Sequence, residues 1–236
     1  MEETKIRELI NRGRAFTKPS YSEEYNDETY YTDQELKKQQ PPLVKEPNGK
    51  KTIDLPMDFT ALNINNDFLN VINSRASHRV YTEETMTLTE LSYLLWCSQG
   101  IKEIRGKAYA TLRTVPCGGA RHEFEVYLTL QNVEGVPNGF YHYLPMSHKL
   151  ELIKEQEDLK DFISESLQEQ VWAAKANAVF YISAVYYRAE WRYGIYAHRV
   201  LLIDAGHITE NLYLASTSIH LGGCAIGAVV DSIANE

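Results

Sequence analysis

The longest periodic stretch constrains the architecture of this chain more than any other feature. Between positions 198 and 220, Leu201, Leu202, Ala205, Ile208, Leu212, Ala215 and Ile219 recur at helical spacing, and Gly222-Gly223 ends the run. A β-rich segment at 178–186 leads toward it, and the apolar 224–230 segment behind it reads as a buried strand. Helices and strands mix here without a regular βαβ repeat. The pattern therefore predicts an α+β fold rather than a doubly wound sheet.

Local signals supply the other elements. Thr87, with Glu90 three residues on, is a capping box; it opens a helix through Leu91, Leu94, Leu95 and Trp96. Gly100 then stops that helix as a glycine just past a helix end would. Residues 66–74 read as a shorter helix and 157–175 as a polar one. Residues 124–130 alternate as a strand, 139–144 form another, and the link between them, with Gly135 and Pro137-Asn138-Gly139, is of hairpin type. Residues 1–56 are polar and poorly periodic, with Tyr21, Tyr25, Tyr30 and Tyr31 among acids and then Pro41-Pro42. They read as an N-terminal arm with one short helix at 3–12, leaving 57–236 as one domain.

Charge and cysteine usage exclude several classes. The 236 residues carry 24 Lys+Arg against 32 Asp+Glu, a formal net charge of −8. That balance argues against a nucleic acid or an anionic membrane held by a broad positive field, while still allowing a local cationic site. No apolar run approaches the roughly 20 residues needed to span a bilayer, and the N-terminus lacks the apolar core of a secretory signal. Three widely spaced cysteines make no disulfide framework and suit a reducing cytoplasm. The 16 tyrosines against 7 phenylalanines favour half-polar pockets or interfaces.

Several catalytic signatures fail on spacing. Gly100 to Gly106-Lys107 is one residue too long for a P-loop, and Ala108 stands where a hydroxyl would hold Mg²⁺. The Gly222–Gly227 run lacks G-x-G-x-x-G spacing, and no G-x-S-x-G elbow occurs. Without C-x-x-C or H-E-x-x-H, and with seven scattered histidines, metal catalysis is not indicated.

Three segments survive. Arg75-Ala76-Ser77-His78-Arg79 presents two guanidiniums and a hydroxyl that can converge on one phosphate, or simply form a charged surface turn. Pro116-Cys117-Gly118-Gly119 makes a rigid turn whose backbone can approach a flat ligand, or a tight loop before a hairpin. Arg192-Tyr193-Gly194 precedes the long helix; Tyr193 is a candidate proton donor and Arg192 its electrostatic partner, or the pair is an aromatic anchor at a loop-to-helix junction.

Taken in order, these segments resemble the flavin-dependent nitroreductase superfamily, and within it the SagB-type dehydrogenases. The likeness runs over about residues 40–231 and includes Leu91 to Gly100, Gly135 to Tyr143, Ala205-Gly206-His207 with Asn211-Leu212, and Gly222 to Gly227. It implies a nitroreductase-like fold, a central mixed or antiparallel sheet surrounded by helices. It also implies a homodimer with FMN at the subunit interface and hydride transfer through flavin N5. Carried over by position, Arg75, Ser77 and Arg79 would hold the FMN phosphate and ribityl end. Pro116, Cys117, Gly118 and Gly119 would lie along the isoalloxazine, and Gly227 and Ala228 would approach its N5 edge. The substrate would be a small molecule or a modified peptide, with dehydrogenation of a peptide-derived heterocycle as one reaction. NAD(P)H-driven reduction of a nitro or quinone compound is another, and a flavin-free interaction subunit a third reading. This chain departs from the family pattern at Cys117, usually serine, and at Arg192, where azoline oxidases carry lysine. It departs again at Tyr196 and Glu210, and it ends at Glu236, short of a terminal strand common in the family.

Overall fold

In the computed structural model, residues 2–17 and 30–235 are described. The elements run α1 (Glu3–Thr17), β1 (Thr52–Asp54), α2 (Phe68–Ser74), α3 (Leu88–Gln99), β2 (Ile101–Arg105), β3 (Ala110–Arg113), β4 (Phe124–Leu130), β5 (Gly139–Leu144), β6 (Lys149–Glu155), α4 (Lys160–Ser166), β7 (Ala178–Ala184), α5 (Tyr186–Tyr193), α6 (Ala197–Ser218) and α7 (Asp231–Ala234). Five strands form one antiparallel sheet in the order β1-β6-β5-β4-β7, and β2 and β3 pair separately. Helices and an antiparallel sheet mixed in this way make the chain α+β.

Apolar side chains of both sheet faces are covered, so β4 is buried almost throughout. Val126, Leu128 and Leu130 meet Leu91 and Leu95 of α3 in one core, while Val115 and Phe124 meet Leu201 and Ile208 of α6 in another. Leu159, Ile163 and Leu167 pack with Phe140, Val179, Tyr181, Ile226 and Val229. Leu94 joins α3 to α6 at Ala215 and Ile219.

The capping box is complete: Thr87 Oγ1 accepts from the Glu90 amide, and the Glu90 carboxylate accepts from the Thr87 amide. Gly100 ends α3 for a different reason from the one the sequence suggests. Its φ is −57°, not left-handed, and a Cβ there would collide with the Trp96 indole and carbonyl. The polar 157–175 stretch is a shorter helix than predicted. The chain turns over after Leu167, where Gln168 and Glu169 take φ of 52° and 60°. The 224–230 segment is not a strand. The bridge to Ser77 falls just before it, at Gly223, and Ile226 and Val229 then pack against α4. Helix α5 was not legible as a helix, and β1, β2, β3 and β6 carried no clear signal.

The polar N-terminal residues contain a 15-residue helix, α1, with no buried residue, and then a strap. The predicted tyrosines Tyr21 and Tyr25 lie outside the described residues. Along the strap, the Tyr30 hydroxyl accepts from the Ile195 amide, the Gln34 amide donates to the Trp191 carbonyl, and Trp191 Nε1 donates to the Lys38 carbonyl. Farther on, the strap covers charges buried in the sheet. Glu125 of β4 pairs with Arg188 of α5 at 2.5 Å and with His142 Nε2 at 3.0 Å, and both its partners are almost fully buried. The Lys45 amide donates to Glu125 and the Asn48 amide to Glu151.

Candidate functional site

The first cluster grows from the end of α2. Asp67 caps that helix by accepting from the Asn70 amide, and the chain leaves it extended from Arg75. The His78 amide then donates to the Gly223 carbonyl at 2.9 Å. A side chain at Gly222 would meet the His78 ring, so glycine permits this crossing. Tyr213 of α6 ties the two segments together. Its hydroxyl accepts from the Ala225 amide at 2.8 Å and lies 2.9 Å from Ser77 Oγ.

Guanidinium planes lie near aromatic rings on either side of this crossing. Arg75 stands 5.3 Å from the Tyr213 ring centroid and Arg79 5.8 Å from that of Trp172. Among the described residues neither arginine forms an ion pair, although the chain is strongly acidic. The Tyr81 ring lies 6.3 Å from that of Trp172; burial and then Cys224 and Tyr213 push its hydroxyl up to about 12. It is therefore a neutral hydroxyl at any ordinary pH. Gly227 is exposed and Ala228 half-buried on the irregular segment beyond Ala225. No contact joins either of them to the arginines among the described residues.

A second cluster surrounds the turn after β3. Pro116 leads into Cys117, and Gly119 takes φ of 56°, the left-handed region that favours glycine. The Gly118 amide donates to Asp204 Oδ2 of α6 at 2.8 Å. A Cβ at Gly118 would strike Val200, and one at Gly119 would strike Arg192 and the Tyr193 hydroxyl. Arg192 and Tyr193 therefore lie directly on the glycine pair, as the sequence alone could not establish. Arg192 is further fixed by Gln34 Oε1 at 3.3 Å and the Tyr109 hydroxyl at 3.1 Å. The Cys117 thiol faces inward, donating to Glu123 Oε2 at 3.1 Å and accepting from the His122 amide at 3.0 Å. Burial, then Glu123 and Asp204, push that thiol far above its ordinary range; burial also raises Glu123.

The predicted residues thus form two groups rather than one. Asp204 reaches the glycine turn and Tyr213 reaches Ser77, both from α6. Nine positions of a helix turning about 100° per residue put these two side chains on opposite flanks, about 13 Å apart along the axis. Tyr81, Trp172, Tyr213, Glu123 and Asp204 were not singled out as site residues from sequence. Their only signal there was the tyrosine excess and a polar residue inside an apolar helix face.

Known proteins resemble this chain in sequence and in fold. The model of the nitroreductase family matches residues 72–233. MJ1384 of Methanocaldococcus jannaschii, assigned by name to the nitroreductases, is 34% identical over 166 residues, covering 70% of this chain and 81% of that protein. The trifolitoxin-processing protein TfxB of Rhizobium leguminosarum bv. trifolii is 29% identical over 125 residues; the match spans 51% of this chain and only 34% of TfxB. Among solved structures, a nitroreductase-named protein of Ralstonia eutropha aligns with a TM-score of 0.58 at 25% identity, over 78% of this chain and 80% of that one. An Anabaena variabilis structure of the same naming gives 0.64 at 23% identity, over 79% of this chain but 39% of that one. The Escherichia coli microcin synthetase McbBCD complex, with truncated pro-MccB17 bound, gives 0.54 at 17% identity over 98% of this chain and 86% of the matched one, a likeness of fold.

Proposed function

Because the chain belongs to the nitroreductase family of oxidoreductases, we propose that it is an FMN-dependent oxidoreductase of SagB type acting on a peptide-derived heterocycle. The observation that carries the cofactor reading is the pair Arg75 and Arg79: two guanidiniums near aromatic rings, with Ser77 between them and no ion pair among the described residues. Such groups fit a phosphate, which Arg binds with a planar fork and Ser with a short donor. The Gly118-Gly119 turn, with Arg192 and the Tyr193 hydroxyl packed on it, supplies the second half of the site. FMN, when bound, supplies a carrier that takes or gives hydride at N5.

This chain's own residues do the positioning. Arg75, Ser77 and Arg79 bind the phosphate end, while Asp204 holds the Gly118 amide and with it the backbone of the turn. Tyr193 carries a proton at its hydroxyl, and Arg192 keeps that ring in place against Gly119. The 227–228 backbone stays accessible at the other side.

The two halves lie on opposite flanks of α6, so one copy does not close a site around a single ligand. A homodimer resolves this if each FMN takes its phosphate from one copy and its ring contacts from the other. Leu202, Gly206 and Tyr213 share one exposed to half-buried face of α6, which supplies apolar surface for that pairing.

The similarity to TfxB, a trifolitoxin-processing protein, and to the microcin synthetase complex with truncated pro-MccB17 bound favours the peptide substrate. A second reading, NAD(P)H-driven nitro or quinone reduction, is favoured by the name of MJ1384. The purified protein should absorb near 450 nm, release FMN on denaturation, and lose most of it in Arg75→Ala together with Arg79→Ala. A colourless protein that takes up no added FMN would remove the cofactor reading. Anaerobic addition of NADPH separates the two reactions: bleaching favours the reductase, an unchanged spectrum the dehydrogenase.

A further inference from the structure

Beneath the glycine turn, three groups at distant sequence positions are brought together. One ligand atom each from Cys117, Glu123 and Asp204 lies within 4.8 Å of the other two. Asp204 is 3% exposed and Glu123 fully buried. No lysine or arginine pairs with Glu123 or Asp204 among the described residues. Among the described residues Glu123 Oε1 has no donor in hydrogen-bonding geometry, although a buried carboxylate oxygen without a partner is costly.

We propose that Cys117, Glu123 and Asp204 bind a divalent transition-metal ion of borderline softness, Zn²⁺ being the one that fits, which ties the turn to α6. The donor set is one sulfur and two carboxylates. A tetrahedral Zn²⁺ with S at about 2.3 Å and O at about 2.0–2.2 Å holds such atoms about 3–4 Å apart, within the spacing found. The ion supplies the positive charge that these buried acidic groups lack among the described residues. On binding, the thiol releases its proton to solvent, as does either carboxyl where it holds one, and the three ligands coordinate as anions. His207 Nδ1, 3.2 Å from Asp204 Oδ1, orients that carboxylate from outside. No sequence motif shows this site because its ligands stand at 117, 123 and 204, and only the fold joins them.

The test is metal content and ligand identity, independent of any flavin. Wild-type protein is stripped with chelator, reloaded with Zn²⁺ and gel-filtered; metal is then counted by mass spectrometry, and zinc-edge X-ray absorption reads the ligands. We expect about one Zn²⁺ per chain with one sulfur in its shell, and a melting temperature raised by Zn²⁺. Glu123→Gln should bind at least tenfold more weakly, and Cys117→Ser should lose the sulfur signal. Co²⁺ loading should add absorption in the red, beyond the flavin bands. Failure of the wild-type protein to retain zinc would overturn the site, as would zinc with no sulfur ligand. If Glu123→Gln does not fold, the wild-type sulfur count decides. Equal retention by a folded Glu123→Gln would also overturn it, in each case leaving the flavin reading untouched.

Discussion

Arg188→Met tests the buried ion pair that fastens α5 to the sheet. Arg188 is 3% exposed and holds Glu125 at 2.5 Å, while its other nitrogens donate to the Pro42 and His122 carbonyls. Burial alone would push the Glu125 carboxyl up, but the His142 hydrogen bond and the Arg188 charge outweigh it and bring it from 4.5 down to about 2. A depression of that size corresponds to about 3 kcal/mol of favourable interaction with the ionised form. Removing one partner of a buried pair costs about 3–5 kcal/mol, because the other charge is left stranded. In a chain of this size that lowers Tm by about 6–20 °C.

The pH dependence has a definite sign. Glu125 ionises more readily folded than unfolded, so its contribution is complete above the unfolded value of 4.5 and is lost as pH falls toward about 2. The gap between wild type and Arg188→Met is therefore widest near neutrality. It narrows in acid to the pH-independent loss of the two carbonyl bonds. Thermal unfolding by circular dichroism from about pH 7 to pH 3 reads this directly. A Tm loss below about 3 °C at neutral pH, or a gap that does not narrow in acid, would refute the argument.

Thr87→Ala removes the cap of α3 and should cost about 1 kcal/mol, seen as a Tm lower by about 2–4 °C. Gly119→Ala must hold φ near 56° and displace Arg192 and Tyr193. It should cost about 1–2 kcal/mol in denaturant titration and lower the flavin content of the purified protein. Tyr193→Phe should slow turnover with flavin content unchanged; full turnover would remove its proton role. Burial holds His122 down at about 3 and His148 at about 4, against 6.5 for each when unfolded. The unfolded chain thus gains protons below about pH 6.5 that the folded chain cannot, and the urea midpoint should fall between about pH 7 and pH 5. A flat midpoint over that range would show these rings to be charged when folded.

Elements with strong local chemistry were legible in the sequence. The Thr87–Glu90 box, the strands at 124–130 and 139–144, and the helix realised as α6 each carry their signal within a few residues. The 224–230 segment misled because its apolar composition reports burial and not pairing: its side chains pack on α4 while its backbone finds no neighbouring strand. Helix α5 was hidden by its composition, since Trp191, Arg192 and Tyr193 do work on three different neighbours rather than on one face. Arg75, Ser77 and Arg79 were readable as a group because they stand within five residues of one another. Trp172 and Tyr213, which sit over those guanidiniums, come from positions more than ninety residues away. Glu125, His142 and Glu151 are charged or titratable residues of strands that the strap at 42–50 helps to cover, which no local pattern announces.

That strap has a consequence for biogenesis. Lys38 and Trp191, joined by a hydrogen bond, are 153 positions apart. At about 5–20 residues per second, a ribosome delivers the second about 8–30 s after the first. Until then Arg188 and the Glu125 ion pair are missing as well, and the strap around Lys38 lacks its partner on α5. Closure over such a separation is a late, entropically expensive step. A holdase or a protease would meet the protein in that interval.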